Sequence, residues 1–165
     1  MNVDSAITKG VRHSAVVGRF GEHLICNWLS RSGFEVCVAD QAGLDIIAAK
    51  YGRRLGITVK SRTRTRRESE SVNLFSRRNG DRSKLRDACR AFGCEPWLGV
   101  YVECGKSADL YLTSLARYDK RYKSIKARAI EAWSMSRKRR NDYKSDPDVF
   151  HVHFDLDHAK WPPVN

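Results

Sequence analysis

The chain has 165 residues, of which 31 are Lys or Arg and 19 are Asp or Glu, so its formal net charge is +12 at pH 7. This length suits a single domain, and the 41% hydrophobic and 30% charged residues exclude a largely disordered or fibrous chain. No apolar stretch is long enough to span a membrane, and the first residues lack the features of a signal peptide. We therefore expect a soluble, cytoplasmic protein. The positive charge favours nucleic acid as the partner, against the alternative of a basic surface that only aids solubility.

The first predicted element is a helix that follows a short lead-in. Residues 1–13 have no apolar period and are expected to form a flexible lead-in. From Ser14, apolar residues recur every three or four positions and predict a helix that ends near Gly33. The apolar stripe of this helix consists of Val17, Phe20, Leu24 and Trp28. Three strands are then predicted, over residues 34–38, 44–49 and 55–61.

The second half of the chain is more basic. Residues 62–80 contain few apolar side chains and many arginines, which indicates a loop. Asp81 is expected to cap a helix that Gly93 ends. Two strands should follow, over residues 97–102 and 110–113. The spacing of Tyr122, Ile125, Ala129 and Trp133 predicts another helix, which the basic run 137–140 ends, and residues 149–156 resemble a last strand.

This order of elements predicts an α/β fold with helices around a mixed central sheet. We expect one domain over residues 14–165. Its core covers residues 14–115, and a helix and a strand are appended over residues 118–157.

The second and third strands form a candidate hairpin around Tyr51-Gly52. A two-residue turn there places Asp45 opposite Thr58. Lys60 shares the face of Thr58 because side chains alternate along a strand, so Asp45, Thr58 and Lys60 should cluster. Two interpretations are open at this point: a simple salt bridge between Asp45 and Lys60, or a site that binds a metal ion and water.

Three short strings lie on the first helix and on these two strands. They are Gly21-Glu22, Gly43-Leu44-Asp45-Ile46 and Ile57-Thr58-Val59-Lys60-Ser61. In this order they resemble the PD-(D/E)XK nuclease superfamily, and are similar within it to archaeal Holliday-junction resolvases and Mrr-type restriction nucleases. The resemblance implies a restriction-endonuclease-like fold and a metal-dependent endonuclease that hydrolyses DNA with Mg²⁺ or Mn²⁺.

Carried over by position, the resemblance gives catalytic roles to Glu22, Asp45, Thr58 and Lys60. Glu22, Asp45 and the backbone carbonyl of Val59 would hold the metal ion, and Lys60 would orient or help to deprotonate the attacking water. Such a site suits the reaction, because a divalent ion neutralises charge on the scissile phosphate and lowers the pKa of bound water.

Two of these residues have competing interpretations. Thr58 stands where the family usually has Glu, Asp or Gln, and a hydroxyl is a weak, neutral ligand. The site could therefore depend more heavily on Glu22, complete its metal shell with DNA phosphates, or belong to an inactive nucleic-acid-binding module. Glu22 lies off the apolar stripe, where a solvated side chain paired with Arg19 is the ordinary expectation.

A basic segment follows the candidate site. Between residues 60 and 86 there are ten basic and three acidic residues. The side chains expected to grip DNA phosphates without reading bases are Arg62, Arg64, Arg66, Arg67, Arg77 and Arg78. The partner is thus expected to be DNA, with branched DNA and a two-fold homodimer suggested by analogy with junction resolvases.

Overall fold

A six-stranded mixed sheet forms the centre of the computed structural model, which describes residues 9–64, 70–124 and 129–156. The helices and strands are, in chain order, α1 (His13–Arg31), β1 (Glu35–Gln41), β2 (Leu44–Lys50), β3 (Arg53–Arg64), β4 (Ser71–Ser76), α2 (Asp81–Phe92), β5 (Glu95–Cys104), β6 (Ser107–Ser114), α3 (Leu115–Arg121), β7 (Ile130–Ser134), α4 (Arg137–Lys144) and β8 (Val149–Asp155). The large sheet has the order β1-β2-β3-β5-β6-β8. Strands β3 and β5 are parallel, and the other neighbouring pairs are antiparallel.

The two faces of this sheet support separate hydrophobic cores. On one face, Ile25 and Leu29 of α1 pack with Ile46 and Ile57 of the β2–β3 hairpin. The other face is covered by α2 and by a two-stranded antiparallel sheet of β4 and β7, whose Trp133 is fully buried. The mixed sheet with flanking helices that the sequence predicted is confirmed. No helix among the described residues is long and apolar enough to cross a membrane.

Helix α1 buries a different stripe from the predicted one. Its buried residues are Val17, Gly21, Ile25 and Leu29. Phe20, which the apolar period placed inside, is 50% exposed. Gly21 lies on the buried side of the helix, where an added Cβ would clash with the Ser61 hydroxyl and would lie 3.2 Å from the Cβ of Tyr101, so the helix backbone approaches the sheet closely at this residue. The helix begins at His13, and residues 1–8 of the predicted lead-in lie outside the described residues.

The predicted loop over residues 62–80 is wrong for much of its length. β3 continues to Arg64 because it pairs with β5 as far as Arg64 and Cys104, and residues 71–76 form β4.

The start of α2 also differs from the expectation, which gave the N-cap to Asp81. Gly80 in the left-handed conformation is the N-cap, and the Asp81 carboxylate instead accepts a hydrogen bond of 2.9 Å from the Ser76 amide.

The predicted helix through Tyr122 and Trp133 is also wrong. α3 ends at Arg121, and Trp133 lies in β7, where it pairs with Val72 of β4. The basic run 137–140 begins α4 rather than ending a helix. Tertiary pairing and burial of the Trp133 ring override the helical spacing of the apolar residues. The appended region therefore consists of two short helices and two strands among the described residues.

Candidate active site

The β2–β3 hairpin has the predicted register. Tyr51 and Gly52 have φ values of 50° and 77°, as a two-residue hairpin turn with two left-handed central residues requires. This turn pairs Lys50 with Arg53. The Lys50 ammonium further fixes the hairpin by donating a hydrogen bond of 2.6 Å to the carbonyl of Ser32, at the end of α1.

Asp45 lies where β2 separates from β3. The ladder runs from the turn to the pair of Ile46 and Ile57. Beyond it, Oδ2 of Asp45 accepts a hydrogen bond of 2.6 Å from the amide of Val59 and one of 3.1 Å from Oγ1 of Thr58. The Asp45 carboxylate thus accepts a hydrogen bond from the Val59 N–H, which lies beyond the last pair of the β2–β3 ladder. Because the N–H and C=O of one strand residue point to the same side, the Val59 carbonyl faces this gap too.

Lys60 follows on the same face of β3 as Thr58 and is partly buried. Its ammonium makes no hydrogen bond or ion pair with any residue that the structure describes. The described ion pairs therefore do not include the simple Asp45–Lys60 salt bridge. The Lys60 ammonium, on the strand face of the residue that contacts Asp45, is therefore available to a ligand.

Glu22 of α1 lies close enough to Asp45 for the two charges to interact. It lies at the edge of the buried stripe and is partly exposed. Burial, and then the negative charge of Asp45, raise the pKa of Glu22 above its usual value, whereas His23 and Arg19 act in the opposite direction. Among the described ion pairs there is none between Glu22 and Arg19. Glu22 and Asp45 thus share one electrostatic environment although they belong to different elements.

Gly43 fixes the start of β2 and was not recognised as a positioning residue from the sequence. Its φ is 84°, and an added Cβ would lie 2.7 Å from the amide nitrogen of Leu85. The backbone of α2 therefore packs directly on the residue two positions before Asp45. In the sequence, the glycine two positions before Asp45 was the feature that could have indicated this contact.

Replacing Gly43 by alanine is expected to cost about 2–5 kcal/mol, because the side chain meets both an unfavourable φ and the α2 backbone. Gly52→Ala is the matched control. Its φ of 77° is similarly left-handed, but an added Cβ meets nothing within 4 Å, so about 1–2 kcal/mol is expected. Urea unfolding of both variants measures the difference. Equal losses would show that α2 does not hold the start of β2.

The predicted DNA contacts occupy different environments. Those within the described residues are Arg62, Arg64, Arg77 and Arg78. Arg77 and Arg78 are exposed in the turn between β4 and α2, whereas Arg62 donates a hydrogen bond of 2.6 Å to a backbone carbonyl of β4. Arg64 is only 8% exposed, so it does not lie on the outer surface. Arg66 and Arg67 fall outside the described residues.

The donors present fit a divalent metal ion that is held loosely. Asp45 and Glu22 supply two carboxylates, and Mg²⁺ is commonly bound through one or two carboxylates together with water and substrate phosphates. The hydrogen bond from Val59 orients Asp45 as an outer-shell partner of a ligand would. Within the described ranges, no group of three or more His, Cys, Asp or Glu side chains forms a complete metal site.

A solved structure shares the architecture of this chain. No protein-family model matches the sequence, and no curated protein matches it. The structure is similar to that of Hjc, a Holliday junction resolvase from Archaeoglobus fulgidus, with a TM-score of 0.53 and 18% identity over 72% of this chain and 84% of that chain. A restriction endonuclease in complex with substrate DNA matches with a TM-score of 0.43 and 13% identity, over 89% of this chain and 73% of that chain. The fold that the three sequence strings predicted is confirmed, since the chain shares the architecture of this resolvase.

Proposed function

We propose that this chain is a metal-dependent endonuclease that hydrolyses phosphodiester bonds in DNA, with branched or junction DNA as the favoured substrate class. The observation that carries the proposal is the arrangement of Asp45 and Lys60. The carboxylate is anchored by Val59 and Thr58 rather than by the lysine, whose ammonium has no partner among the described residues. The similarity in fold to a Holliday junction resolvase supports the same reaction class.

The proposed roles follow from the chemistry of each group. Asp45, Glu22 and the Val59 carbonyl would hold Mg²⁺ or Mn²⁺, which supplies charge neutralisation and a more acidic water. The Val59 amide keeps the Asp45 carboxylate in place. Lys60 places a positive charge where the scissile phosphate becomes more negative, and can orient the attacking water.

Thr58 has a different role from the acid that the resembled nuclease family usually has at this position. Its hydroxyl donates to Asp45 and so helps to orient the carboxylate, without adding a negative charge. A site with one fewer acid should bind its metal weakly in free protein and more tightly when DNA phosphates approach. Of the three interpretations of Thr58, this arrangement favours completion of the metal shell by DNA.

The second candidate function is an inactive DNA-binding module on the same fold. Thr58 and the lack of a third acidic ligand among the described residues favour it. Incubation with plasmid, a four-way junction and RNA, each with Mg²⁺ or Mn²⁺, separates the two candidates. Metal-dependent cleavage supports the nuclease, whereas tight binding without cleavage supports the module. Symmetric cutting of a junction would require a two-fold dimer, which light scattering would detect.

The proposed DNA surface includes Arg77 and Arg78, together with Arg62, Arg66 and Arg67. The Arg77→Gln/Arg78→Gln double variant is expected to flatten the dependence of log K on log salt by up to about two units, because each phosphate contact contributes about 0.9. Arg90→Gln is the control, since Arg90 is exposed near the other end of α2 and pairs with Asp87 at 3.2 Å. Equal slopes for both variants would place the turn before α2 outside the interface.

A further inference from the structure

A small cavity lies beyond the candidate active site, near the end of β3. Its volume is about 230 Å³, and its walls include Arg64 of β3, Tyr111 and Asp109 of β6, and Arg140 of α4. Arg64 points to the same face of β3 as Lys60, four residues earlier, because side chains alternate along a strand. The Arg140 side chain is 40% exposed, so the cavity reaches the surface beside α4.

Three hydrogen-bond donors of residues that line this cavity have no partner within the described part of the chain. They are Nε of Arg64, Nε of Arg140 and the hydroxyl of Tyr111, all of them buried atoms. Arg64 is 8% exposed and Tyr111 is fully buried. A guanidinium group can only donate hydrogen bonds. These three donors would therefore be satisfied by one acceptor group that contacts several of them at once.

The charge of Arg64 favours an anion as this acceptor. No carboxylate among the described residues lies within ion-pair distance of its guanidinium. Asp109, on the same walls, is already engaged: Oδ1 accepts hydrogen bonds from Nε2 of His151 at 2.7 Å and Nδ1 of His153 at 2.8 Å. Its Oδ2 lies 3.6 Å from Nη1 of Arg140. Glu70, the other acid on the walls, is exposed and forms no ion pair with Arg64 among the described residues. A water molecule would satisfy a donor but would not compensate the charge of Arg64.

We propose that this cavity binds a phosphate-class oxyanion, which accepts hydrogen bonds from both arginine Nε atoms and from Tyr111. Arginine forks match the geometry of phosphate oxygens. The volume holds one such group and its water but is below the roughly 300–1,000 Å³ typical of pockets for larger ligands, so a nucleoside would stay outside. The anion could be free inorganic phosphate or the terminal phosphate of a DNA strand, and the second source rests on the proposed function.

NMR of the arginine Nε–H groups tests the site with inorganic phosphate, titrated at constant ionic strength. The resonances of Arg64 and Arg140 should shift saturably. Those of Arg82 and Arg117 are internal controls, because their Nε atoms already donate to Glu131 at 3.0 Å and to Asp146 at 2.9 Å. No saturable shift at Arg64, or an equal shift at all four arginines, would overturn the proposal.

Two tyrosine variants test whether the anion contacts the Tyr111 hydroxyl. Tyr111→Phe keeps the ring and removes the hydroxyl, so phosphate affinity should fall by about tenfold, the effect of one lost hydrogen bond to a charged group. Tyr118→Phe is the matched control, because the Tyr118 hydroxyl is also buried and has no partner among the residues the structure describes, but Tyr118 does not line the cavity. Equal affinities of the two variants would contradict the assignment.

A final comparison identifies the source of the phosphate. Oligonucleotides with a 5′-phosphate and with a 5′-hydroxyl are titrated in metal-free buffer, where cleavage does not interfere. Displacement of inorganic phosphate by the phosphorylated strand alone supports a terminal phosphate, and no displacement by either supports the free ion. Since the NMR titration requires no cleavage, failure of the nuclease proposal and failure of this site give different results.

Discussion

Cleavage of DNA is expected to slow by about 100- to 1,000-fold in the Asp45→Asn variant, the effect of removing one group that stabilises transition-state charge. Asparagine has nearly the same shape and keeps one oxygen that can accept the hydrogen bond from the Val59 amide. It removes the negative charge that the proposed metal ion requires. The variant should therefore fold and bind DNA like the wild type, and single-turnover cleavage in Mg²⁺ or Mn²⁺ measures the loss.

Lys60→Met should reduce cleavage by a similar factor, because it keeps the aliphatic chain and removes only the ammonium charge. Lys144→Met is the control for a lost positive charge, since Lys144 is exposed at the end of α4. The Asp45→Asn/Lys60→Met double variant should be little slower than either single variant if both residues act on the same phosphate. Unchanged cleavage by well-folded Asp45→Asn protein would disprove the assignment of the active site.

The hairpin that carries Asp45, Thr58 and Lys60 could be predicted from the sequence for local reasons. A two-residue turn determines the register of two antiparallel strands, and alternation then determines which side chains share a face. Neither step needs information from elsewhere in the chain. The order of the three short strings similarly identified the fold, because their resemblance depends on the elements that carry them rather than on overall identity.

The position of α1 over the sheet could not be predicted in the same way. The apolar period counted Phe20 as buried and ignored Gly21, because glycine contributes no hydrophobic signal. In the structure Gly21 lies against the sheet, and the helix is rotated accordingly. This rotation brings Glu22 to the edge of the buried face, near the charge of Asp45. A close backbone contact of this kind depends on residues far apart in the sequence.

Long-range pairing also explains the other differences. Arginine-rich composition suggested a solvated loop after Ser61, but pairing with β5 extends β3 and buries Arg64. Trp133 recurs at a helical spacing, yet its ring packs against Tyr118 and Tyr143 in the core beneath β4 and β7. In both regions the partner strand, which no local pattern reveals, decides the structure.

Thr58→Glu is expected to make the stability of the protein depend on a divalent metal ion. Thr58 is 5% exposed, and its hydroxyl lies 3.1 Å from Oδ2 of Asp45. A carboxylate there faces a second carboxylate in a nearly buried position. Without metal, repulsion and desolvation should lower the free energy of unfolding by about 1–3 kcal/mol.

A metal ion between the two carboxylates reverses this effect, because it binds the folded state and not the unfolded chain. Each tenfold gain in metal affinity adds about 1.4 kcal/mol of stability at saturating metal. Thermal unfolding in EDTA and in increasing Mg²⁺, Mn²⁺ or Ca²⁺ measures the gain. Thr58→Met is the control of similar size without an oxygen that could bind Mg²⁺, so its stability should change little when metal is added. If Thr58→Glu gains no more stability from metal than Thr58→Met, no metal ion binds between Asp45 and residue 58, and the proposed metal site is wrong.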